Sequence, residues 1–263
     1  ISLSNRFISF LNRLIYSKWT IFYVLLFGLL ARLLVGFNFS YVFGSDYAVI
    51  ARNLIQGKGY SLNGIHLTAW RTPGYTLILA GLMALFGEQR LPFVILTSIV
   101  GTINAGLCYW LGAKIFNRSA GLVVGILYMF TPYLAQKEST TEGGFVTLGL
   151  LAALCLFWKG WNNRRLIWLG LSGFTFALSY LVRPTVGLIP IFVSISLLAG
   201  IRKAKKPFWH IASAIILIVT FTIGITPWAV RNKIVFGRWY FGQTIFWYTF
   251  YTANHTRSFN LYP

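Results

Sequence analysis

Acidic residues are the scarcest feature of this sequence: its 263 residues include 4 Asp and Glu against 23 Lys and Arg, a formal net charge of +19. The four are Asp46, Glu88, Glu138 and Glu142. A basic protein that binds nucleic acid gathers its cations on one soluble face. Here the cations are spread between apolar runs, which argues against nucleic acid as a partner.

Cysteine and histidine are also rare. The two cysteines, Cys108 and Cys155, lie inside apolar runs and predict small core residues without a disulfide. The three histidines lack the spacing of a zinc site. No metal or cofactor is required by these residues, although a divalent cation bridging a phosphate to carboxylates is compatible with them.

What the chain has in abundance is apolar sequence, with 57% hydrophobic and 10% charged residues. This composition predicts an all-α polytopic membrane protein. We expect a membrane domain over residues 1–228 with about seven transmembrane helices. The predicted spans are residues 19–37, 91–112, 119–135, 143–158, 166–182, 184–200 and 208–228.

The apolar run 73–87 is too short to cross a bilayer comfortably, because spanning takes about 20 helical residues. If it does not cross, the short basic loops all fall on one side, as the positive-inside rule requires. These loops contain Arg6, Arg13, Lys18, Lys114, Arg118, Lys159, Arg164, Arg165, Arg202, Lys203, Lys205 and Lys206. We therefore predict a cytoplasmic N-terminus and a helix 73–87 along the outer surface.

The first outer loop contains a second juxtamembrane helix, predicted over residues 45–56. Ser45 is a suitable N-cap, Gly57 a suitable stop, and the apolar residues between them follow a helical period. Asp46 falls in the first turn, where the helix dipole favours a carboxylate. Two interpretations are open for Asp46: it helps to cap the helix, or it is a functional acid.

Several cations and acids are predicted on the outer side, against the usual bias. Arg183 lies in a very short turn and Arg231 directly follows the last span, so both are expected near headgroup depth. They either snorkel to ordinary lipids or bind a lipid-linked phosphate. Glu142 either caps the fourth span or joins Asp46 in a site. Arg32, inside the first span, is expected to snorkel or to pair with one of the acids.

Residues 229–263 predict the start of an aromatic-rich outer loop. No pattern of a cleaved signal peptide precedes the first span. Its aromatic residues suit a membrane interface, and composition alone does not establish a sugar site.

Ordered segments of the chain resemble the GT-C glycosyltransferases of the protein O-mannosyltransferase and aminoarabinose-transferase type, which use polyprenyl-phosphate sugars. The segments are SDYAVIARNLIQGKGYS, WRTPGYTLILAGLMALFG, YWLGAKIFNRSAG, STTEGGF, YLVRPT and TPWAVRNKIVFG. The chain departs from the family in one place, because its acid directly precedes Tyr47 and the earlier position is Phe43.

The resemblance implies a membrane glycosyltransferase that inverts the anomeric centre. It implies catalytic Asp46 and Glu142 and phosphate-binding Arg183 and Arg231. We further expect Arg71 to bind the phosphate, and Tyr47, Glu138 and Lys137 to support the site. We expect a polyprenyl-phosphate sugar as the donor, an unspecified acceptor, and the plasma membrane of a bacterium or archaeon as the location, with the active site outside. Because family members are usually longer, we also expect the chain to be the N-terminal part of a longer protein, truncated in the outer loop 229–263. Two other classes stay open: a flippase for a lipid-linked sugar, and a non-catalytic assembly subunit.

Overall fold

The computed structural model describes residues 19–39, 43–203 and 206–254. The predicted basic residues Arg6, Arg13, Lys18 and Lys205 lie outside these ranges. The helices are α1 (Thr20–Phe39), α2 (Asp46–Ile55), α3 (Pro73–Phe86), α4 (Arg90–Ile115), α5 (Arg118–Phe130), α6 (Pro132–Thr140), α7 (Gly143–Asn163), α8 (Leu166–Val182), α9 (Leu188–Ala199), α10 (Pro207–Phe236) and α11 (Ile245–Asn254). Single 3₁₀ turns occupy Pro184–Gly187 and Gly200–Lys203.

The described chain is all-helical, which confirms the predicted class of polytopic α-helical membrane protein. Five helical segments are long and apolar enough to cross a membrane, and a sixth is added if the bent pair α5–α6 counts as one span. The predicted span 166–182 appears as α8, whose 17 residues place it among the shorter apolar helices together with α3. The last span continues past its predicted end at 228 to Phe236.

The predicted span 119–135 is not one straight helix. It forms α5 and α6, which meet at a bend of 61°. Thr131 has extended backbone angles (φ −75°, ψ 112°) immediately before Pro132. Proline disfavours helical geometry in the residue before it and cannot donate a backbone hydrogen bond, so the apolar run breaks there.

The chain divides into two compact units that interleave along the sequence. The first consists of Ile1–Val42 and Gln89–Trp168, and in its described part contains α1 and α4–α7. Within it, α4 and α5 approach so closely that a Cβ on Gly112 would lie 2.9 Å from the Cα of Gly121. Glycine at this point therefore permits tight helix packing, as is common between membrane helices.

The second unit consists of Phe43–Glu88 and Leu169–Pro263. Its core contains Ile50 of α2, Tyr60 and Ala69 of the loop after α2, and Trp228 of α10. The loop is therefore fixed from both sides by apolar burial, which is the main stabilising term in such a cluster.

Helix α2 forms as predicted. Its N-cap is Ser45, whose Oγ accepts a hydrogen bond from the Ala48 amide at 3.4 Å. Gly57, at φ +73°, takes the left-handed conformation that follows the helix end. The predicted apolar face is buried at Tyr47, Ile50 and Ala51 but ends in an exposed Ile55.

Candidate active site

Helices α2 and α3 lie side by side and run in the same direction. Three contacts join them in order along their lengths: Asp46 with Arg71, Tyr47 with Tyr75, and Arg52 with Glu88. Because the two helices are parallel, their N-terminal ends adjoin. Both ends carry the positive pole of a helix dipole, so this corner of the second unit favours negative charge.

Asp46 accepts two side-chain hydrogen bonds at this corner. The indole Nε1 of Trp70 and the guanidinium Nη2 of Arg71 each donate to its Oδ2 at 3.0 Å. The Asp46 side chain remains 41% exposed. The capping oxygen of α2 belongs to Ser45, so the contacts seen for the Asp46 carboxylate are made with the loop before α3.

Arg71 is held by its surroundings in a defined orientation. Its guanidinium carbon lies 4.8 Å from the centre of the Tyr47 ring, a cation–π contact. Tyr47 in turn packs edge-on against Tyr75, at 5.0 Å between ring centres. Among the described residues, the buried Nε of Arg71 has no hydrogen-bond partner. The predicted supporting role of Tyr47 agrees with this packing and stays a prediction.

Tyr60 connects this site to the core and was not singled out by the sequence analysis. Its hydroxyl lies 3.1 Å from the carbonyl oxygens of Arg71 and Thr72 and from Oγ1 of Thr76. Burial raises the pKa of the Tyr60 hydroxyl, which therefore stays protonated. The hydroxyl thus fixes the backbone that presents Arg71. The signal available in the sequence was an aromatic residue directly after the turn Gly57–Gly59.

Arg231 lies against the other side of this core. Its guanidinium is stacked near Tyr60, Trp228 and Phe236, at 5.1–5.5 Å from the ring centres. Its Nη1 donates to the Thr68 carbonyl at 2.8 Å and to Oδ1 of Asn232 at 2.9 Å. All its described hydrogen-bond partners are neutral, so the cation is oriented without being neutralised.

Arg183 belongs to the same unit and is exposed in the turn that follows α8. The residue before it contacts the start of α3, because Oγ1 of Thr72 donates to the Val182 carbonyl at 3.3 Å. Gly74 packs on the same segment, and a Cβ there would lie 2.8 Å from backbone atoms of Leu181. The backbone next to Arg183 is therefore held beside the segment that carries Arg71.

The two predicted acids of the first unit occupy different surroundings. Glu138 is buried and pairs with Arg32, which settles the two alternatives for Arg32 in favour of pairing. Glu138 also accepts from Tyr128 and from Asn104. Glu142 is half-buried at the start of α7, where its side chain makes no capping hydrogen bond. Capping by its side chain therefore does not explain Glu142.

Lys137 is exposed and lies 5.7 Å from the centre of the Tyr133 ring. It belongs to the first unit, as do Glu138 and Glu142, whereas Asp46, Arg71, Arg183 and Arg231 belong to the second. The predicted convergence of Asp46 with Glu142 stays a prediction. Across residues 19–39, 43–203 and 206–254, no group of three or more His, Cys, Asp or Glu is arranged to hold a metal ion.

Comparison with known proteins identifies a family. A family model described as dolichyl-phosphate-mannose-protein mannosyltransferase matches residues 70–225. No curated protein and no solved structure matches the chain significantly. The matched range contains Arg71, Glu142 and Arg183, and it leaves Asp46 and Arg231 outside.

The family implies glycosyltransferase activity, a lipid-linked sugar donor and embedding in a membrane, which agrees with the apolar helices described above. Because the match covers more than half of the sequence, the chain belongs to the dolichyl-phosphate-mannose-protein mannosyltransferase family of membrane glycosyltransferases.

Proposed function

We propose that this protein transfers a sugar from a polyprenyl-phosphate donor to an acceptor hydroxyl at the non-cytoplasmic face of the membrane. The observation that carries the proposal is Asp46: a half-exposed carboxylate, held by Trp70 and Arg71, at the adjoining N-termini of α2 and α3. A general base needs an accessible oxygen in a fixed orientation, and this arrangement supports such a role.

In the proposed reaction, Asp46 accepts the proton of the acceptor hydroxyl as its oxygen attacks the anomeric carbon. The new glycosidic carbon–oxygen bond forms while the bond from that carbon to the phosphate oxygen breaks. The bonding electrons leave with the phosphate. A single displacement of this kind inverts the anomeric centre.

The leaving phosphate gains charge during this step, and nearby guanidinium groups would stabilise it. Arg71 and Arg231 are the best supported candidates, because aromatic rings orient both guanidinium groups. Arg71 lies over the ring of Tyr47, and Arg231 lies over the ring of the core residue Tyr60. Arg183 is the third, since the backbone beside it packs against Thr72. Glu142 is retained as a second catalytic acid, and this role requires it to reach Asp46.

The orientation follows from charge. The basic loops after α4, α7 and α9 agree with a cytoplasmic side that is rich in Lys and Arg. We therefore propose that α2 and α3 lie on the outer side, and that the membrane is the plasma membrane of a bacterium or archaeon. Cysteines introduced at positions 65 and 206 test it: an impermeant thiol reagent added to intact cells should label position 65 and not position 206.

The transfer reaction is tested with the protein reconstituted in proteoliposomes, a radiolabelled polyprenyl-phosphate hexose and extracted envelope glycans and lipids. Asp46→Asn should reduce transfer at least ~100-fold, because a positioned general base contributes 10²–10⁴-fold. Glu88→Gln is the matched control, since Glu88 is equally exposed but pairs with Arg52 at the far end of α2. Normal transfer by Asp46→Asn would remove the catalytic assignment.

The same assay separates the rival class. A flippase moves label across the bilayer while the sugar stays on its polyprenyl phosphate, and it needs ionisable groups along a pathway. The buried ionisable pair of the first unit is Arg32–Glu138, and its groups bond to Tyr128, Met129 and Asn104. Because both groups already bond to several neighbouring residues, we interpret this pair as structural and not as part of a transport pathway.

A further inference from the structure

A cleft of about 460 Å³ lies in the second unit, beside the segment that leads to Trp70 and Arg71. Its volume is in the range of pockets that bind small ligands. The lining residues are Leu67, Thr68, Ala69, Phe236, Arg238, Tyr240 and Thr244. Because Ala69 is two residues before Arg71, their Cα atoms are at most about 7 Å apart. The backbone that lines the cleft therefore lies close to the backbone of the proposed catalytic site.

The lining combines apolar and hydroxyl-bearing surfaces. Phe236 and Tyr240 pack edge-on with ring centres 6.1 Å apart, and Thr68 and Thr244 add hydroxyl groups. Two segments of the lining are joined by a backbone hydrogen bond, in which the Thr244 amide donates to the Ala69 carbonyl at 2.9 Å. An aromatic face next to hydroxyl groups suits a sugar, which presents apolar C–H groups and hydroxyls together.

The charge that the described residues place around the cleft is positive. Lys233 donates to a neutral oxygen, the Gly237 carbonyl, at 2.7 Å. Arg238 is exposed in the lining, and no carboxylate of the described residues pairs with it. The acids of this unit, Asp46 and Glu88, are already paired with Arg71 and Arg52. An anionic group is the complement that this surface lacks.

We propose that the cleft binds the acceptor of the transfer reaction, and that this acceptor is an anionic glycan whose phosphate or carboxylate pairs with Arg238. Calling the ligand an acceptor rests on the proposed function, whereas the existence of an anion-binding site in the cleft does not. The donor phosphate remains at Arg71, Arg183 and Arg231. The aromatic and hydroxyl lining holds the sugar ring, and Arg238 provides the selection for charge.

The test measures binding without chemistry, with the protein in neutral phosphatidylcholine nanodiscs. Glucose 6-phosphate and glucuronic acid are the anionic probes, methyl glucoside is the neutral probe, and polyprenyl phosphate represents the donor. Arg238→Gln should weaken binding of the anionic probes at least ~10-fold, as expected for a lost charge-assisted hydrogen bond. Binding of methyl glucoside and of polyprenyl phosphate should be unchanged.

Arg202→Gln is the matched control. It removes the same charge from an exposed arginine of the same unit, before the 30-residue helix α10 and about 45 Å from its other end, where Arg238 lies. Arg238→Lys should retain most of the affinity, which separates loss of charge from loss of fold. Equal weakening by the 238 and 202 variants would overturn the proposal. So would a loss of polyprenyl phosphate binding in Arg238→Gln, because it assigns Arg238 to the donor.

These outcomes are independent of the catalytic assignment. Normal transfer by Asp46→Asn together with selective loss of anion binding in Arg238→Gln removes the proposed base and keeps the cleft. Loss of transfer in Asp46→Asn with unchanged anion binding in Arg238→Gln keeps the glycosyltransferase mechanism and removes the cleft as an anion site.

Discussion

Two ion pairs of this protein use the same chemical groups in opposite surroundings. Arg32–Glu138 of the first unit is buried, with side chains 3% and 6% exposed, whereas Arg71–Asp46 of the second is 24% and 41% exposed. The buried pair is enclosed by Tyr128, Met129 and Asn104. The exposed pair leaves its carboxylate accessible to a substrate. We therefore expect the buried pair to contribute to stability and the exposed pair to be available for chemistry.

Removing one member of the buried pair is expected to have the largest effect on stability. Arg32→Ala leaves the Glu138 carboxylate buried without its cation, and breaking a buried pair costs about 3–5 kcal/mol. The measurement is the free energy of unfolding in detergent micelles. The control is Arg52→Ala, which breaks an exposed pair and should cost less than about 1 kcal/mol.

The double replacement Arg32→Met with Glu138→Gln sharpens this comparison. It removes both charges, so it should recover much of the stability that the single replacement loses. A loss for Arg32→Ala no larger than that for Arg52→Ala would contradict the structural role of the buried pair.

The buried pair can also be disturbed without changing a charge. A Cβ on Gly101 would lie 2.6 Å from Oε2 of Glu138, so Gly101→Ala should destabilise the protein by about 1–3 kcal/mol through overpacking. Gly81 of α3 is the matched control, because a Cβ there meets nothing within 4 Å. Gly81→Ala should be neutral or stabilise by up to about 1 kcal/mol, since alanine favours helix. Thermal unfolding should show a lower Tm for Gly101→Ala and an unchanged or higher Tm for Gly81→Ala.

The exposed pair depends on a buried residue for its geometry. Tyr60→Phe removes the hydroxyl that contacts the Arg71 and Thr72 carbonyls and Thr76, at a cost of about 1–2 kcal/mol. Transfer activity should fall further than stability alone explains, with kcat reduced and binding of the donor little changed. The control is Tyr75→Phe, which removes the hydroxyl of the ring that packs against Tyr47. Unchanged kcat in Tyr60→Phe would show that the hydroxyl does not position the site.

The smallest expected effect concerns the exposed pair Arg52–Glu88, whose shortest nitrogen–oxygen distance is 2.5 Å. The hydrogen bond from Arg52 lowers the pKa of Glu88 below its ordinary value of 4.5. A lowered pKa in the folded state gives stability that is present above 4.5 and is lost as the pH falls through the folded-state pKa. The contribution should stay below about 1 kcal/mol, because both groups are exposed, and it should shrink in high salt. Acid titration of unfolding in Glu88→Gln and the parent protein measures it.

Much of the helical layout follows from local patterns. The apolar runs predicted α1, α4, α7 and α10, and the Ser45 cap with the Gly57 stop predicted α2, because these signals act within a few residues. Pro132 is a local signal for a helix break, but the prediction followed the hydropathy of the surrounding apolar run. Proline and its preceding residue outweighed hydropathy there.

The candidate site was only partly predictable. Asp46 stood out because acids are so scarce, and Arg71 and Tyr47 because of a family pattern. The roles of Trp70 and Tyr60 depend on a loop that folds back between α2 and α3, and such contacts have no periodicity in the sequence. Glu138 was predicted to support the site, and this stays a prediction. Its buried pair with Arg32, 106 positions away, was one of two alternatives that the sequence left open for Arg32.

By itself the sequence determined that this is a helical membrane protein, since only apolar helices satisfy their own backbone in lipid and the runs are long enough to provide them. It also limited the chemistry to four carboxylates. Only the tertiary structure decided which carboxylate is exposed and which is buried in an ion pair. Burial and pairing depend on residues far apart in the chain, and their energies arise only when packing brings those residues together.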